Sequence, residues 1–251
     1  AMKDPVETFK TNIIGTINIC EASRNLTKLR QLLLITTDKC YKNSKSNKIK
    51  FFDENDELGG DEPYAASKAS AEIVINSYVK TYFKKNKIQI TTARAGNIIG
   101  GGDWAKDRII PDIFKSLKNG KKLVIRNPNA TRPWQHVLDV INGYILLIES
   151  KKTGSWNFGP KLKSSQRVID ILNFFKKKNN KLKWLLKRTK YKNESINLNL
   201  SSKKSLKLLK WSPKWDFKKS LTNTQEWYEC FYTKKDIINF TNNQIKNYFK
   251  V

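Results

Sequence analysis

A tyrosine and a lysine stand four residues apart in the run Tyr64-Ala65-Ala66-Ser67-Lys68. The run lies near the start of an expected helix, so this spacing places both side chains on one helix face. An ammonium group beside a phenol lowers the pKa of the phenol, and the phenolate can then act as a base near neutral pH. A chance pairing on a solvated helix is the plain alternative.

A second candidate set follows a short apolar run. Residues 31–36, QLLLIT, form a short, largely apolar run bounded by polar residues, which predicts a buried strand. Thr37, Asp38 and Lys39 come directly after it, and ligands of open α/β sheets bind at the carboxyl ends of strands. A hydroxyl, a carboxylate and an amine at that edge can transfer protons. A polar turn capped by Asp38 is the alternative, but the combination with the Tyr64–Lys68 helix is rarer than either motif alone.

Strands and helices alternate along the chain, which predicts an α/β fold with a parallel sheet. Strands are expected at 31–36, 88–94, 122–126 and 156–158, and loops at 44–60, at the glycine-rich 96–103 and up to 133. Helices are expected at 4–23, 62–84, 108–118, 137–150, 165–178, 201–209, 216–230 and 235–249. After about residue 160 the chain shifts toward lysine-rich helices, which predicts a smaller, mainly helical C-terminal part.

Composition restricts the class of protein. The 251 residues are 39% hydrophobic, which is enough to form a sizeable core. Cys20, Cys40 and Cys230 lie far apart with no metal-binding spacing, so we expect a reduced, cytoplasmic protein without disulfides or a metal site. No apolar stretch approaches the roughly 20 residues of a membrane span, and no signal-peptide pattern opens the chain. We therefore expect no membrane partner.

The formal net charge of +27 raises the alternative of nucleic-acid binding. The excess is mostly lysine scattered along the chain, whereas phosphate-binding surfaces cluster Arg and Lys with aromatic residues. The densest basic run, Lys176 to Lys192, is interpreted as a solvated face. We expect no nucleic-acid partner, although a positive field would steer an anionic substrate.

Six sequence blocks together resemble the extended short-chain dehydrogenase/reductases that remodel nucleotide sugars, over about residues 4–228. The blocks are Asn12-Ile13-Ile14-Gly15-Thr16, Thr37-Asp38-Lys39-Cys40-Tyr41, Tyr64 to Lys68, Ala93 to Asn97 with Gly101 to Trp104, Arg126 to Pro128 with Arg132 to His136, and Trp156 to Pro160. Within that family, Lys39 after Asp38 and the runs 100–104 and 132–136 resemble the CDP-glucose 4,6-dehydratases.

The resemblance implies NAD as cofactor and a Rossmann-type doubly wound parallel sheet with a smaller, mostly helical substrate domain. Residues 1–105, joined again by about 136–160, would form part of the NAD-binding domain, and 106–251 mainly the substrate domain. The glycine-rich strand–turn–helix that grips a dinucleotide is not found in the chain. We therefore expect an N-terminally truncated chain with an incomplete sheet, poorly stable and without tight NAD binding when isolated.

The implied reaction is an internal redox cycle on CDP-glucose. NAD takes a hydride from C4 of the sugar while Tyr64 accepts the proton of the 4-hydroxyl, to which Thr37 hydrogen-bonds. Asp38 and Lys39 then manage loss of water, with Asp38 as the acid, and the hydride returns to C6. The group that removes the C5 proton is left open, since Lys39 would have to be neutral to do so.

The family pattern assigns further roles by position. Asn12 supports a proton relay, and Lys68 holds the nicotinamide ribose. Beside Tyr64 and Lys68, the residues expected at the cofactor are Thr36 and Ala95. Asn97 is expected at the substrate diphosphate, and two guanidinium groups at phosphate oxygens. The substrate residues expected are therefore Asn97, Arg126, Arg132, His136 and Trp104, where His136, the only histidine, either contacts substrate or caps a helix.

Other readings stay open. One is a dehydratase or epimerase acting on a different nucleotide sugar. A second is a non-enzymatic truncated remnant, and a third is a basic nucleic-acid-binding protein. The resemblance also implies a homodimer or tetramer that pairs through residues 4–23 and 62–84.

Overall fold

The structure, a computed structural model, describes residues 1–43, 50–84, 88–160, 166–187 and 199–250. The first six residues of the expected loop 44–60 lie outside the described residues, as do the first residue of the expected helix 165–178 and the last five of the basic run Lys176 to Lys192.

Nine α-helices, some extended by π-helical turns, lie in the described part of the chain. They are α1 (Pro5–Phe9), α2 (Gly15–Arg24), α3 (Pro63–Tyr78), α4 (Ile109–Asn119), α5 (Val137–Glu149), α6 (Val168–Lys178), α7 (Lys203–Leu209), α8 (Phe217–Tyr232) and α9 (Ile237–Phe249). A π-helical turn, Lys10–Ile14, joins α1 to α2, and another, Val79–Phe83, extends α3.

A parallel sheet forms the centre of the N-terminal part. The strands are β1 (Gln31–Ile35), β2 (Phe51–Phe52), β3 (Gln89–Ala95), β4 (Ile98–Ile99), β5 (Leu123–Ile125), β6 (Thr131–Arg132), β7 (Gln135–His136), β8 (Gly154–Phe158), β9 (Gln166–Arg167), β10 (Trp184–Leu186) and β11 (Asn199–Leu200). The order of the sheet is β1-β3-β8, with both pairings parallel. The other strands form two-stranded pairs.

Helices cover both faces of this sheet because its side chains alternate between them. On one face, Ile90 of β3 packs with Cys20 of α2 and Ile75 of α3. On the other face, Ala93 of β3 packs with Val140 of α5. A separate core in the C-terminal part joins α4, α6 and α8. The expected α/β fold with a parallel sheet is thus confirmed, while the division into 1–105, 136–160 and 106–251 stays a proposal.

Local sequence explains where the site helices begin. Asp4 accepts a hydrogen bond from the backbone of Glu7 at 2.9 Å, and Pro5 occupies the first turn of α1. At α3 the carboxylate of Glu62 accepts bonds from the backbone N–H groups of Tyr64 and Ala65, both at 2.9 Å. This cap fixes the start of the helix that carries the Tyr64–Lys68 pair.

The sequence prediction missed the shortest strands. β2 lies in the expected loop 44–60, β4 in the expected loop 96–103, and β6 in the loop up to 133. The C-terminal part, expected to be mainly helical, also contains β10 and β11. Strands of two or three residues are too short to show an alternating hydrophobic pattern in the sequence, so they are defined by the strands with which they pair.

The described residues contain no helix long and apolar enough to cross a membrane. Among them there is also no cluster of three or more His, Cys, Asp or Glu side chains suited to a metal ion. All three cysteines are free and buried.

A buried ion pair fastens α3 to the sheet. Arg94 of β3 donates from Nε and Nη2 to the two carboxylate oxygens of Glu72, each at 2.8 Å. Both side chains are about 3% exposed or less. Arg94 also donates to the hydroxyl of Tyr41 at 2.7 Å, and that hydroxyl donates to Asn157 of β8 at 2.8 Å. The network therefore ties a helix, two strands and the turn after β1 together.

Arg94→Leu is expected to lower the free energy of unfolding by about 3–5 kcal/mol, because it leaves the Glu72 carboxylate buried without its partner. Urea unfolding followed by circular dichroism measures this loss. The control is Arg30→Leu, where the arginine is exposed, and it should change stability by less than about 0.5 kcal/mol. Equal losses in the two variants would show that the pair contributes no more than a surface charge.

Candidate functional site

The two candidate sets identified in the sequence meet in the structure. Thr37 follows β1 and caps a 3-10 turn formed by Asp38–Cys40, which packs against α3. The Thr37 and Asp38 side chains are buried. The Lys39 amine lies over the ring of Tyr64, 5.6 Å from its centroid. The strand end and the helix thus present a phenol, a hydroxyl, a carboxyl and an amine at one place.

The Asp38 carboxyl is enclosed and only half satisfied. The Thr37 hydroxyl donates to Oδ1 at 3.0 Å, while Oδ2 is buried without a hydrogen-bond partner in the described structure. Burial raises the pKa of Asp38 to about 6, against the opposing effects of the Thr37 hydrogen bond and of the charges on Lys39 and Arg132. Asp38 can therefore carry a proton near neutral pH, as a general acid must.

Gly96 makes this packing possible. A Cβ on Gly96 would lie 3.2 Å from Asp38 Oδ2 and 2.6 Å from Cγ of Pro133. Any side chain there would push Pro133 or the carboxyl out of place. The glycine in the strand-end run 93–97 therefore serves close approach of the backbone to Asp38.

The pKa of Tyr64 moves opposite to the expected direction. Burial raises it, and the lowering influences of a Thr37 hydrogen bond and of the Arg108 charge do not compensate. The spacing argument was wrong on this point, because it counted the Lys68 charge and ignored the cost of placing a phenolate in a half-buried site. Among the described residues, Arg108 is a cation whose charge favours the phenolate, and no sequence motif indicated it.

Lys68 lies one turn beyond Tyr64 on α3 and is half-buried. Burial lowers the pKa of its ammonium, while the Glu72 carboxylate raises it. Among the described residues no hydrogen-bond acceptor meets its amine. Lys68 therefore has donors free to hold hydroxyl groups of a ligand.

Asn12 connects to this helix through a residue that the sequence prediction missed. Its Nδ2 donates to Ser67 Oγ at 2.9 Å, and Ser67 Oγ donates to the backbone carbonyl of Tyr64 at 2.8 Å. Asn12 lies in the π-helical turn between α1 and α2, and such turns are frequent at functional sites. The small Ser67 inside the Tyr64–Lys68 run was the available signal.

Four other expected residues lie at strand ends. Thr36 donates its hydroxyl to Glu72 at 2.5 Å, and Ala95 is buried at the end of β3. The backbone carbonyl of Asn97 accepts a bond from Gln135 at 3.1 Å. Arg132 acts electrostatically on Asp38, which places it near the carboxyl. Their roles toward cofactor and substrate stay predictions.

Two expected substrate residues stand apart from this group. Arg126 is exposed and forms an ion pair with Asp107. Trp104 is 39% exposed and packs on α8, with its ring centroid 5.3 Å from Tyr228 and 4.8 Å from Phe231. Nothing in the described contacts joins either side chain to Tyr64 or Asp38.

His136 is a buried helix cap. Its Nδ1 accepts a bond from the backbone N–H of Leu138 at 3.2 Å, at the start of α5, and its ring lies 4.5 Å from Trp215. Burial lowers the pKa of the imidazole to about 4. Of the two roles expected for His136, the capping role is confirmed, and contact with substrate stays a prediction.

Known proteins are similar to this chain in sequence. The profile of a family described as NAD dependent epimerase/dehydratase matches residues 1–159. The CDP-glucose 4,6-dehydratase of Salmonella typhimurium is 33% identical over 98% of this chain and 71% of that protein. The dTDP-D-glucose 4,6-dehydratase of Homo sapiens is 25% identical over 90% of this chain and 64% of that protein. The chain thus spans about two thirds of the length of these relatives.

Solved structures share the fold. The dTDP-glucose 4,6-dehydratase of Bacillus anthracis in complex with NAD superposes with a TM-score of 0.74 at 22% identity, covering 88% of this chain and 68% of that one. The UDP-glucuronic acid 4-epimerase of Bacillus cereus in complex with UDP-glucuronic acid and NAD gives 0.77 at 23%, covering 89% and 69%. At these identities the likeness is one of fold, and it confirms the Rossmann-type sheet expected from the sequence.

His136 is expected to stay neutral down to a pH near 4. Because its folded pKa lies below the usual 6.5, it contributes stability above about pH 6.5 that is lost as the pH falls toward 4. Proton NMR isolates its signals, since the chain has one histidine. His136→Asn, which keeps a capping side chain, should remove this part of the acid sensitivity. A midpoint near 6.5 would show that the imidazole is not buried.

Proposed function

The chain belongs to the NAD dependent epimerase/dehydratase family, and on that premise we propose that it carries the catalytic residues of an NAD-dependent nucleotide-sugar 4,6-dehydratase acting on CDP-glucose. The observation that supports this best is that Thr37 hydrogen-bonds to Asp38, whose pKa is raised, and also interacts with Tyr64. A dehydratase needs a base at one sugar hydroxyl and an acid at another, and these groups stand side by side.

CDP-glucose is proposed over other nucleotide sugars on two grounds. The relative from Salmonella typhimurium that matches 98% of the chain is named for that substrate, at 33% identity against 25% for the human dTDP-D-glucose enzyme. The runs Gly100 to Trp104 and Arg132 to His136, with Lys39 after Asp38, resemble the CDP-glucose group.

The first proton transfer belongs to Tyr64. As C4 is oxidised, the 4-hydroxyl proton passes to the Tyr64 oxygen, with the Thr37 hydroxyl holding the same substrate oxygen. Burial disfavours the phenolate, so the approach of positive charge must assist this step. Arg108 already supplies part of it in the described structure.

The second proton transfer belongs to Asp38. Once C4 is a ketone, the C5 proton is acidic, and its transfer to a base expels the 6-hydroxyl; the Lys39 amine, which lies over the Tyr64 ring, would take this proton in its neutral form. Asp38 donates its proton to that hydroxyl, so water leaves rather than hydroxide. A carboxyl with a pKa of about 6 is protonated often enough near neutral pH to do so. Its Oδ2 is buried beside Gly96 without a hydrogen-bond partner in the described structure.

The residues present fit NAD at the carboxyl edge of the sheet. The Lys68 amine has free donors for ribose hydroxyls. Thr36 directly follows β1, and Ala95 ends the adjacent strand β3. When bound, NAD supplies the hydride acceptor for C4 oxidation and the donor for reduction at C6. Lys68 and Tyr64 orient the reacting face and hold the proton released from the sugar. The net charge of +27 favours encounter with an anionic nucleotide.

Pairing through α1–α2 and α3 is proposed as the assembly. These helices contact each other within the chain, through a 2.6 Å hydrogen bond from the Tyr78 hydroxyl to Glu21. Ile75 is buried in the core, whereas the side chains of Ile14, Ile19 and Ile73 are each about half exposed or more. Their exposure leaves an apolar surface that a second copy would cover.

The natural protein supplied with NAD and CDP-glucose is expected to yield the 4-keto-6-deoxy sugar nucleotide, and Tyr64→Phe to lower kcat by roughly 10²–10⁴ with a modest change in KM. Mass spectrometry detects the product, which is about 18 Da lighter than the substrate because one water is lost, and the rate at which it appears gives kcat and KM. Tyr82→Phe, an exposed tyrosine on the π-helical end of α3, is the control. Faster turnover of dTDP-glucose or GDP-mannose would assign another nucleotide sugar, and normal turnover by Tyr64→Phe would remove Tyr64 from the mechanism.

Asp38→Asn is expected to stop the reaction after C4 oxidation, because an amide cannot protonate the departing hydroxyl. Bound NADH should then accumulate, and its near-ultraviolet absorbance in a single turnover measures it. Asp56→Asn, a carboxylate in the loop after β2, is the control and should turn over normally. If Asp38→Asn forms product without accumulating NADH, Asp38 is not the acid.

A further inference from the structure

The two-stranded sheet of β5 and β10 packs one face on the C-terminal core and leaves the other face in solvent. Side chains on a strand alternate between its two faces. Leu123 and Ile125 of β5 are buried in the core that joins α4, α6 and α8, whereas Val124 between them is 53% exposed. On β10, Trp184 packs against the same core and Leu185 is 50% exposed. The core thus fixes which side chains this sheet presents outward.

The register of the two parallel strands places the outward side chains in opposed pairs. The ladder continues past both ends of the printed pairing. The backbone N–H of Leu123 donates to the carbonyl of Lys183 at 2.9 Å, before β10 begins. The backbone N–H of Lys187 donates to the carbonyl of Ile125 at 2.8 Å, after β10 ends. By alternation, the outer face of β5 and β10 consists of three pairs, which are Lys122 with Lys183, Val124 with Leu185, and Arg126 with Lys187.

This outer face has an apolar centre between two rows of cations. Each cation lies two residues along its strand from the centre, a rise of about 7 Å. Lys122, Lys183 and Lys187 are exposed, and among the described residues none of the three forms an ion pair. Arg126 pairs with Asp107. Because like charges opposite each other on neighbouring strands repel, the lysines do not stabilise the sheet. Their placement favours an anionic partner.

We propose that the outer face of β5 and β10 is a docking surface for an anionic lipid membrane. The apolar pair enters the lipid interface, and the lysines contact lipid phosphates. Peripheral attachment of this kind combines buried apolar area with attraction to anionic headgroups. It goes beyond the proposed reaction and does not depend on it. The sequence predicted no membrane partner from the length of its apolar stretches and the lack of a signal peptide, which bear on spanning and not on docking at a surface.

The composition of the outer face favours lipid over nucleic acid. Surfaces that bind nucleic-acid strands interleave cations with aromatic side chains on which bases stack. The six residues of the outer face include no aromatic residue, since Trp184 packs on the core with the Lys176 amine 5.2 Å from its ring centroid. The segments 121–126 and 181–187 also contain no Asp or Glu that would repel anionic lipid. The two exposed aliphatic side chains at the centre are unfavourable in water and favourable in a lipid interface.

Cosedimentation of the natural protein with vesicles tests the proposal. Vesicles of phosphatidylglycerol mixed with phosphatidylcholine should bind the protein, and vesicles of phosphatidylcholine alone should not. Lys122→Gln/Lys183→Gln should weaken binding by roughly tenfold or more, and Leu185→Ser should weaken it several-fold. The matched control, Lys28→Gln/Lys152→Gln, removes the same charge from exposed lysines before β1 and β8 and should leave binding nearly unchanged.

Sedimentation does not require turnover, so failure of the proposed reaction and failure of this proposal are separate results. No binding to phosphatidylglycerol vesicles overturns the proposal, and equal weakening in Lys122→Gln/Lys183→Gln and in the control overturns it by showing that binding follows total charge. The other occupants give their own results. Duplex DNA binding that is lost in Lys122→Gln/Lys183→Gln while vesicle binding persists assigns the face to nucleic acid. Dimers that are lost in Leu185→Ser while vesicle binding persists assign it to a second copy of the chain. Either result overturns the lipid proposal.

Discussion

The buried bond between Glu72 and Arg94 is the constraint on which the site depends. Two charges removed from water are costly unless their hydrogen bonding is complete, and here each carboxylate oxygen has two donors. That requirement permits one alignment of α3 on β3. Since Tyr64 lies two turns from Glu72 on the same face, the alignment also fixes the phenol beside Thr37. Positioning of the reacting group thus follows from satisfying a buried charge.

The long elements of the fold could be predicted because their signals are local. A polar cap such as Asp4 before Pro5 marks the start of a helix, and an apolar run such as β1 marks a strand. Both signals lie within the element itself. The short strands could not, since a pair such as β4 with β7 is created by distant chain. β10 is intermediate, because Leu182 and Trp184 alternate with lysines in a strand pattern that the basic composition obscured.

The members of the site were easier to predict than their electrostatics. Spacing and strand-end position were sufficient to bring Thr37, Asp38 and Tyr64 together. The direction of the Tyr64 pKa was missed because burial is a property of the folded chain. Glu72 was within reach of the same spacing rule, one more turn along α3. Its partner Arg94 was not, since it lies 22 residues away and depends on the register of the helix on the sheet.

Burial shifts the protonation equilibria of the ionisable groups of the site in one direction. It raises the pKa of Asp38 and of Tyr64 and lowers that of Lys68, so each group is pushed toward its uncharged form. A neutral carboxyl is ready to donate, whereas a neutral phenol is not ready to accept. The asymmetry makes Asp38 an acid without further help and makes Tyr64 a base only where cations reach it.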